Sequence, residues 1–178
     1  LVSQRHSRAE AVQAAAERLL SCPRPVDDDV LPKGSTIAAL QLSATGYEAA
    51  WVGDSRIYVW QDSLRQISHD DSAMLSLLDA GKLDPAPAAQ HPRRGVLTQA
   101  LGITPGDRLR IGLAHGELAR GMGFLLCTDG LTDRLRDTTI ARVVGCATLA
   151  PQECVDQLLL GALELAPDWS FGWFRLGE

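Results

Sequence analysis

Apolar residues recur at helical spacing towards both ends of the chain and form short, strand-like runs between them. Residues 7–20 place apolar side chains on one helical face, and Ser7 and Glu10 are positioned to form a capping box at its start. From Gly34 onward, runs rich in β-branched and aromatic residues alternate with turn residues, which predicts strands. The predicted strands are 36–42, 47–52, 56–60, 64–67, 96–101, 109–113 and 124–127, and the other predicted helices are 72–80, 137–144 and 151–165.

The order of these elements predicts a fold class. The first four strands are joined so closely that we expect them to be antiparallel neighbours in a meander. Hairpins flanked by helices are typical of an α+β layered domain. A chain of 178 residues with 46% hydrophobic residues is long enough for one domain with a sizeable core.

Charge and cysteine content limit the possible binding partners and indicate a cellular location. The net charge of −5 argues against a nucleic-acid partner, and no apolar run is long enough to cross a bilayer, so no membrane partner is expected. The cysteines lack metal-binding spacing and no signal peptide is recognised, which predicts reduced thiols and a cytoplasmic location. Because the chain starts at Leu1 instead of Met and soon enters a helix, we expect it to be a piece of a longer protein.

The central candidate for chemistry is the segment 124–133, in which four apolar residues precede Asp129 and Gly130. A buried strand that ends in this way holds a carboxylate at the mouth of a sheet, where a hard divalent cation or an acid–base group would be placed. Taken alone, Asp129 is more often a turn residue, because aspartate forms local hydrogen bonds with the backbone. A run of three aspartates at 27–29 is interpreted as a solvated surface loop.

A second carboxylate at a strand end favours the chemical interpretation of the first. Asp54 lies beside Gly53, where one predicted strand turns into the next. If the strands next to Asp54 and Asp129 are neighbours, the two carboxylates converge on one cation. Paired carboxylates of this kind bind Mg²⁺ or Mn²⁺, which keep water in their remaining positions.

Six short motifs follow one another between residues 34 and 144. They are Gly34-Ser35-Thr36, Gly53-Asp54-Ser55-Arg56, residues 67–72, His91-Pro92, residues 97–102 and residues 126–133. In order and spacing this set resembles the PP2C-like metal-dependent phosphatases, and most of all the bacterial serine/threonine phosphatases. This resemblance implies an α-β-β-α sandwich in which two antiparallel sheets lie between layers of helices.

The resemblance also implies an activity, cofactors and partners. Members hydrolyse phosphoserine or phosphothreonine in proteins with a water that two Mg²⁺ or Mn²⁺ ions activate, and some members hold a third ion. Asp129 matches a metal ligand, and Asp54 matches a residue that helps to hold the third ion. Residues 84–94 correspond to a mobile flap, where Arg93 or Arg94 could attract phosphate. The expected partner is a phosphorylated protein, such as a serine/threonine kinase or its target.

The chain departs from the family pattern in three places. No residues match the early Asp-Gly-Met-Gly-Gly block, whose Asp bridges both metals, and this block is expected before residue 1. The family's Asp-His-Ser appears as Asp70-Asp71-Ser72, with the His replaced. At the family's final metal ligand, Asp168 stands in the expected place and Trp169 replaces the following Asn.

The tail allows two interpretations. We expect an N-terminally truncated PP2C-like domain over residues 1–165 and a divergent tail over 166–178. The tail is either the closing strand of the domain or part of a tetratricopeptide-like helical repeat, and a single repeat cannot bury its own apolar face.

Two other functions compete with a metal-dependent phosphatase. A cysteine-dependent phosphatase is rejected, because six residues separate Cys127 from Arg134 where that chemistry needs five, and because Asp129 and Asp133 would repel a phosphate dianion. The alternative that stays open is a catalytically impaired PP2C-like fragment that acts as a phosphoprotein-binding or regulatory module.

Overall fold

The computed structural model describes residues 8–21, 34–44, 46–82 and 95–165. They form six strands and five helices in mixed order. The helices are α1 (Arg8–Leu20), α2 (Ala73–Asp79), α3 (Asp129–Thr132), α4 (Asp137–Val144) and α5 (Pro151–Glu164). The strands are β1 (Ile37–Leu42), β2 (Tyr47–Val52), β3 (Arg56–Gln61), β4 (Ser63–Gln66), β5 (Gly112–Gly116) and β6 (Gly123–Cys127).

The strands form two antiparallel sheets of three strands each. One sheet has the order β1-β2-β5 and the other has the order β4-β3-β6. The predicted meander of four consecutive strands is therefore wrong, because β2 and β3 lie in different sheets. The chain crosses between the sheets at Gly53-Asp54-Ser55, where Gly53 has φ 101°, a value that side chains with a Cβ rarely adopt.

Three apolar clusters show that the two sheets lie face to face between helices. Between the sheets, Ala49 and Trp51 of β2 pack with Ile57 of β3. The other face of β2 contributes Ala50 and Val52 to a cluster with α1. On the outer face of the second sheet, the buried residues come from α3, the segment after it, α4 and α5: Leu131, Leu135, Ile140, Leu158 and Ala162. The layers are thus α-β-β-α, as the sequence predicts.

Most predicted elements are confirmed to within a few residues, and two are not. Predicted strand 96–101 forms only isolated bridges, from Leu97 to Ser72 and from Leu101 to Ser35. Predicted strand 109–113 begins later, at Gly112, where pairing with β2 starts. No helix among the described residues is long and apolar enough to cross a membrane. The predictions for Ser7, 27–29, 84–94 and the tail from residue 166 lie outside the described residues.

Gly112→Ala is expected to destabilise the fold by about 1–3 kcal/mol, the usual cost of overpacking a core. A Cβ at Gly112 would overlap the indole ring of Trp51, its cross-strand neighbour. Trp51 is buried between the sheets and its Nε1 donates a hydrogen bond to the His69 carbonyl at 2.9 Å. Urea unfolding measures the loss, and Gly95→Ala is the control, because an added Cβ there has no atom of the described residues within 4 Å apart from its chain neighbours. Equal unfolding midpoints for the two variants would contradict this packing.

Candidate metal site

The register of β3 and β6 places Asp54 and Asp129 at the same end of the second sheet. The two strands pair antiparallel, with Arg56 opposite Cys127 at this end. Asp54 lies two residues before Arg56, and Asp129 lies two residues after Cys127. The predicted condition for a shared site, that the strands next to the two carboxylates are neighbours, is therefore met.

The two carboxylates are close enough for their charges to interact. The pKa of Asp54 is raised above its ordinary value, mainly by burial and next by the negative charge of Asp129. Asp70 and Asp133 add smaller effects in the same direction, and a backbone hydrogen bond opposes them. A cation between Asp54 and Asp129 would relieve this repulsion, which is the electrostatic character of a metal site.

Asp129 is the first residue of α3, a single helical turn that directly follows β6. The side chain of Asp129 is exposed, whereas Asp54 is half-buried. Asp133 closes the turn by donating its backbone N–H to the Asp129 carbonyl at 2.8 Å. Asp133 is a third acidic residue whose charge reaches Asp54, and we did not select it from the sequence. Its spacing of four residues from Asp129, one helical turn, is the signal that could have identified it.

Contacts from two segments hold the turn that carries Asp54. The Asp71 backbone N–H donates to the Gly53 carbonyl at 2.9 Å, and the Gly53 N–H donates to Asp71 Oδ2 at 2.9 Å. On the other side of the turn, the Ser55 hydroxyl is hydrogen-bonded to the Thr36 hydroxyl at 2.8 Å. Asp54 is thus presented by a fixed backbone, as a ligand or catalytic group requires.

Arg56 forms an ion pair with Asp70 at the β3 end of the site. The guanidinium binds Asp70 through Nε and Nη2, with the shortest distance 2.7 Å. Its Nη1 donates to the Tyr58 hydroxyl at 3.2 Å, which in turn donates to Asp137 at the start of α4. This network ties the β3 end of the site to the outer helices.

Cys127 of β6 is the cross-strand partner of Arg56, and its side chain packs against the apolar cluster under the outer helices. Burial raises the pKa of the Cys127 thiol to about 11. A nucleophilic cysteine needs a lowered pKa, since the thiolate is the reactive form. The rejection of cysteine-dependent chemistry is therefore consistent with the structure.

A cleft of about 430 Å³ opens between β1 and β6, next to the acidic pair. It is lined by residues from both sheets and from the turn: Ser35, Thr36, Ile37, Ala38, Ser55, Leu126, Cys127 and Thr128. Ser55 and Thr128 are the chain neighbours of Asp54 and Asp129, so hydroxyl groups border the site on this side.

Three further site residues predicted from the sequence, Arg93, Arg94 and Asp168, lie outside the described residues. Within the described ranges, no three His, Cys, Asp or Glu side chains are grouped so that they could hold a metal ion. Among the residues that the structure describes, the candidate ligands are therefore Asp54 and Asp129.

Comparisons with known proteins relate the chain to bacterial phosphatases. The chain is 30% identical over 135 residues to the serine/threonine protein phosphatase PstP of Mycobacterium tuberculosis, covering 75% of this chain and 26% of PstP. It is 31% identical over 117 residues to the serine/threonine phosphatase stp of Listeria monocytogenes, covering 65% of this chain and 46% of the relative. The chain is a homologue of the bacterial PP2C-type serine/threonine phosphatases. No family model matches it.

The likeness extends to the PP2C-like fold. The crystal structure of the catalytic domain of PstP in complex with two manganese ions aligns with a TM-score of 0.68 and 27% identity. The alignment covers 88% of this chain and 61% of that domain. The family resemblance and fold class predicted from the motifs are confirmed, and the chain spans less than half the length of the two curated relatives described above.

Proposed function

We propose that this chain forms part of a metal-dependent phosphatase domain that hydrolyses phosphoserine or phosphothreonine in proteins. The observation that carries the proposal is the register of β3 and β6, which brings Asp54 and Asp129 to one sheet end with interacting charges. The named activity of the relatives supports the reaction type. The domain is proposed to span residues 1–165, and the divergent tail over 166–178 is either its closing strand or part of a tetratricopeptide-like helical repeat.

The described residues fit a divalent cation in part. A carboxylate pair suits one hydrated Mg²⁺ or Mn²⁺ ion, which commonly takes one or two carboxylates and keeps several waters. Asp54 and Asp129 are the proposed ligands, and Asp168 is proposed as a further ligand from the tail. When bound, ions of this kind lower the pKa of a water so that hydroxide is available to attack phosphorus.

The acidic character of the site explains why a cation is needed for a phosphate substrate. A phosphate dianion beside Asp54 and Asp129 is repelled by both carboxylates until positive charge neutralises them. In this proposal the two residues hold that positive charge and set its place at the sheet end. Arg93 and Arg94 are proposed to attract the phosphate from the flap segment.

A second candidate is a binding or regulatory module without turnover. It is favoured by one observation: the described residues contain a carboxylate pair and no grouping of three metal-binding side chains. Because the affinity for Mg²⁺ depends on the number of charged ligands, a pair alone binds weakly. Such a protein would bind phosphopeptides without hydrolysing them.

Addition of Mn²⁺ to the metal-free chain is expected to start hydrolysis of a phosphothreonine peptide, and EDTA is expected to return it to the background rate. Phosphate release measures turnover, and fluorescence anisotropy of a labelled phosphopeptide measures binding. Saturable activation by Mn²⁺ supports the enzyme. Peptide binding without phosphate release supports the module, and the absence of both contradicts both functions.

A further inference from the structure

Asp71 forms hydrogen bonds with both the carbonyl and the N–H group of Gly53. Its backbone N–H donates to the Gly53 carbonyl, and its Oδ2 accepts the Gly53 N–H, each at 2.9 Å. Gly53 has φ 101°, so the turn that presents Asp54 adopts a backbone conformation accessible mainly to glycine. Asp71 therefore fixes the peptide group that enters this turn.

The second carboxylate oxygen of Asp71 is also engaged, which leaves the side chain little freedom to rotate. Oδ1 accepts a hydrogen bond from Gln99 Nε2 at 3.1 Å. Gln99 is 5% exposed, and its Oε1 accepts the Arg110 backbone N–H at 2.6 Å. The Asp71 carbonyl accepts the Thr98 N–H at 2.8 Å. The turn is thereby tied through Asp71 to the segment before β5.

We propose that Asp71 is a positioning residue that holds Asp54 towards Asp129. The physical need for it is electrostatic: like charges repel, and each carboxylate would be better solvated if the turn moved away. A turn that keeps the pair together must be held by other bonds, and the two bonds from Asp71 to Gly53 serve this purpose. The effect of Asp71 on metal binding rests on the proposed function, whereas its hydrogen bonds to Gly53 do not.

Exchanging the carboxylate at position 71 and the amide at position 99 tests these hydrogen bonds directly. In Asp71→Asn, the new amide can accept only one of the N–H donors from Gly53 and Gln99, so one bond is lost and two donors face each other. In Gln99→Glu, two carboxylates face each other. The double variant D71N/Q99E restores every bond, because the amide at position 71 accepts from Gly53 and donates to the carboxylate at position 99, which still accepts from Arg110.

Two measurements separate positioning from general stability. Amide hydrogen exchange at Gly53 is expected to accelerate roughly fivefold to tenfold in D71N and to return to the wild-type rate in the double variant. Mn²⁺ affinity, from electron paramagnetic resonance of the free ion, is expected to weaken roughly tenfold or more in D71N and to recover with Q99E. Melting temperatures show that each variant is folded.

Each outcome decides the proposal. Loss in both single variants with recovery in the double variant supports it. Unchanged exchange at Gly53 in D71N, or no recovery in the double variant, overturns the clamp. Faster exchange with unchanged Mn²⁺ affinity overturns positioning. If the wild-type chain takes up no Mn²⁺, the proposed function fails, and exchange at Gly53 still tests whether Asp71 holds the turn.

Discussion

Asp129→Asn is expected to weaken Mn²⁺ binding by roughly a hundredfold or more and to reduce phosphopeptide hydrolysis to background, because one of two charged ligands is removed. The loss is measured by titrating Mn²⁺ against thermal unfolding. A ligand that binds only the folded state at about 100 times its Kd stabilises it by about 2.7 kcal/mol. We expect wild-type melting to rise with Mn²⁺ and melting of the variant to change little.

The same substitution is expected to have the opposite effect without metal. The folded-state pKa of Asp54 is raised, first by burial and then by Asp129. As pH rises from the ordinary aspartate pKa through this raised value, the unfolded chain loses its proton first, so folding stability falls. Asp129→Asn removes one source of the shift. In EDTA, its urea midpoint should fall less than that of the wild type between about pH 3 and pH 7.

The matched control is Asp156→Asn, which removes the same charge from the exposed face of α5. Asp156 accepts a hydrogen bond from Gln152 at 2.9 Å, one turn earlier in the same helix. This variant should keep the wild-type response to Mn²⁺ and the wild-type pH dependence. An equal loss of Mn²⁺ stabilisation in both variants would show that overall negative charge, and not the Asp54–Asp129 pair, binds the ion.

Local patterns predicted the strands and helices well, but not how the strands are distributed between sheets. A link of three residues, Gly53 to Ser55, looks like a hairpin turn in the sequence. Whether it turns back or crosses to another sheet depends on the pairing of β3 with β6, whose residues come more than 60 positions later. The shift of β5 has a similar cause, since its start is set by pairing between Gly112 and Trp51.

The closeness of Asp54 and Asp129 could be anticipated, because each residue lies beside a glycine and two residues from a strand end. The role of Asp71 could not, because it depends on hydrogen bonds to Gly53 and Gln99 that no sequence spacing shows. Next to Asp71, Ser72 caps α2 by accepting the Leu75 N–H at 3.1 Å. In the sequence, Asp71 therefore resembles an ordinary residue at a helix start.

Ile57→Ala is expected to destabilise the metal-free fold by about 3 kcal/mol, within the usual range for deleting a buried aliphatic side chain. Ile57 is fully buried between the two sheets, where it packs with Ala49 and Trp51. Such a loss is a large part of a domain stability of about 5–15 kcal/mol. Urea unfolding in EDTA, followed by circular dichroism, measures it without any contribution from bound metal.

Leu126→Ala is the matched control for this core position. Leu126 is the cross-strand partner of Ile57, but its side chain is 41% exposed at the edge of the second sheet. It therefore loses less buried area on truncation, and we expect a cost of about 1 kcal/mol. A loss at Leu126 as large as that at Ile57 would mean that the Leu126 side chain is covered in solution. The contact between the sheets at Ile57 would then not be the main source of stability at this end of the domain.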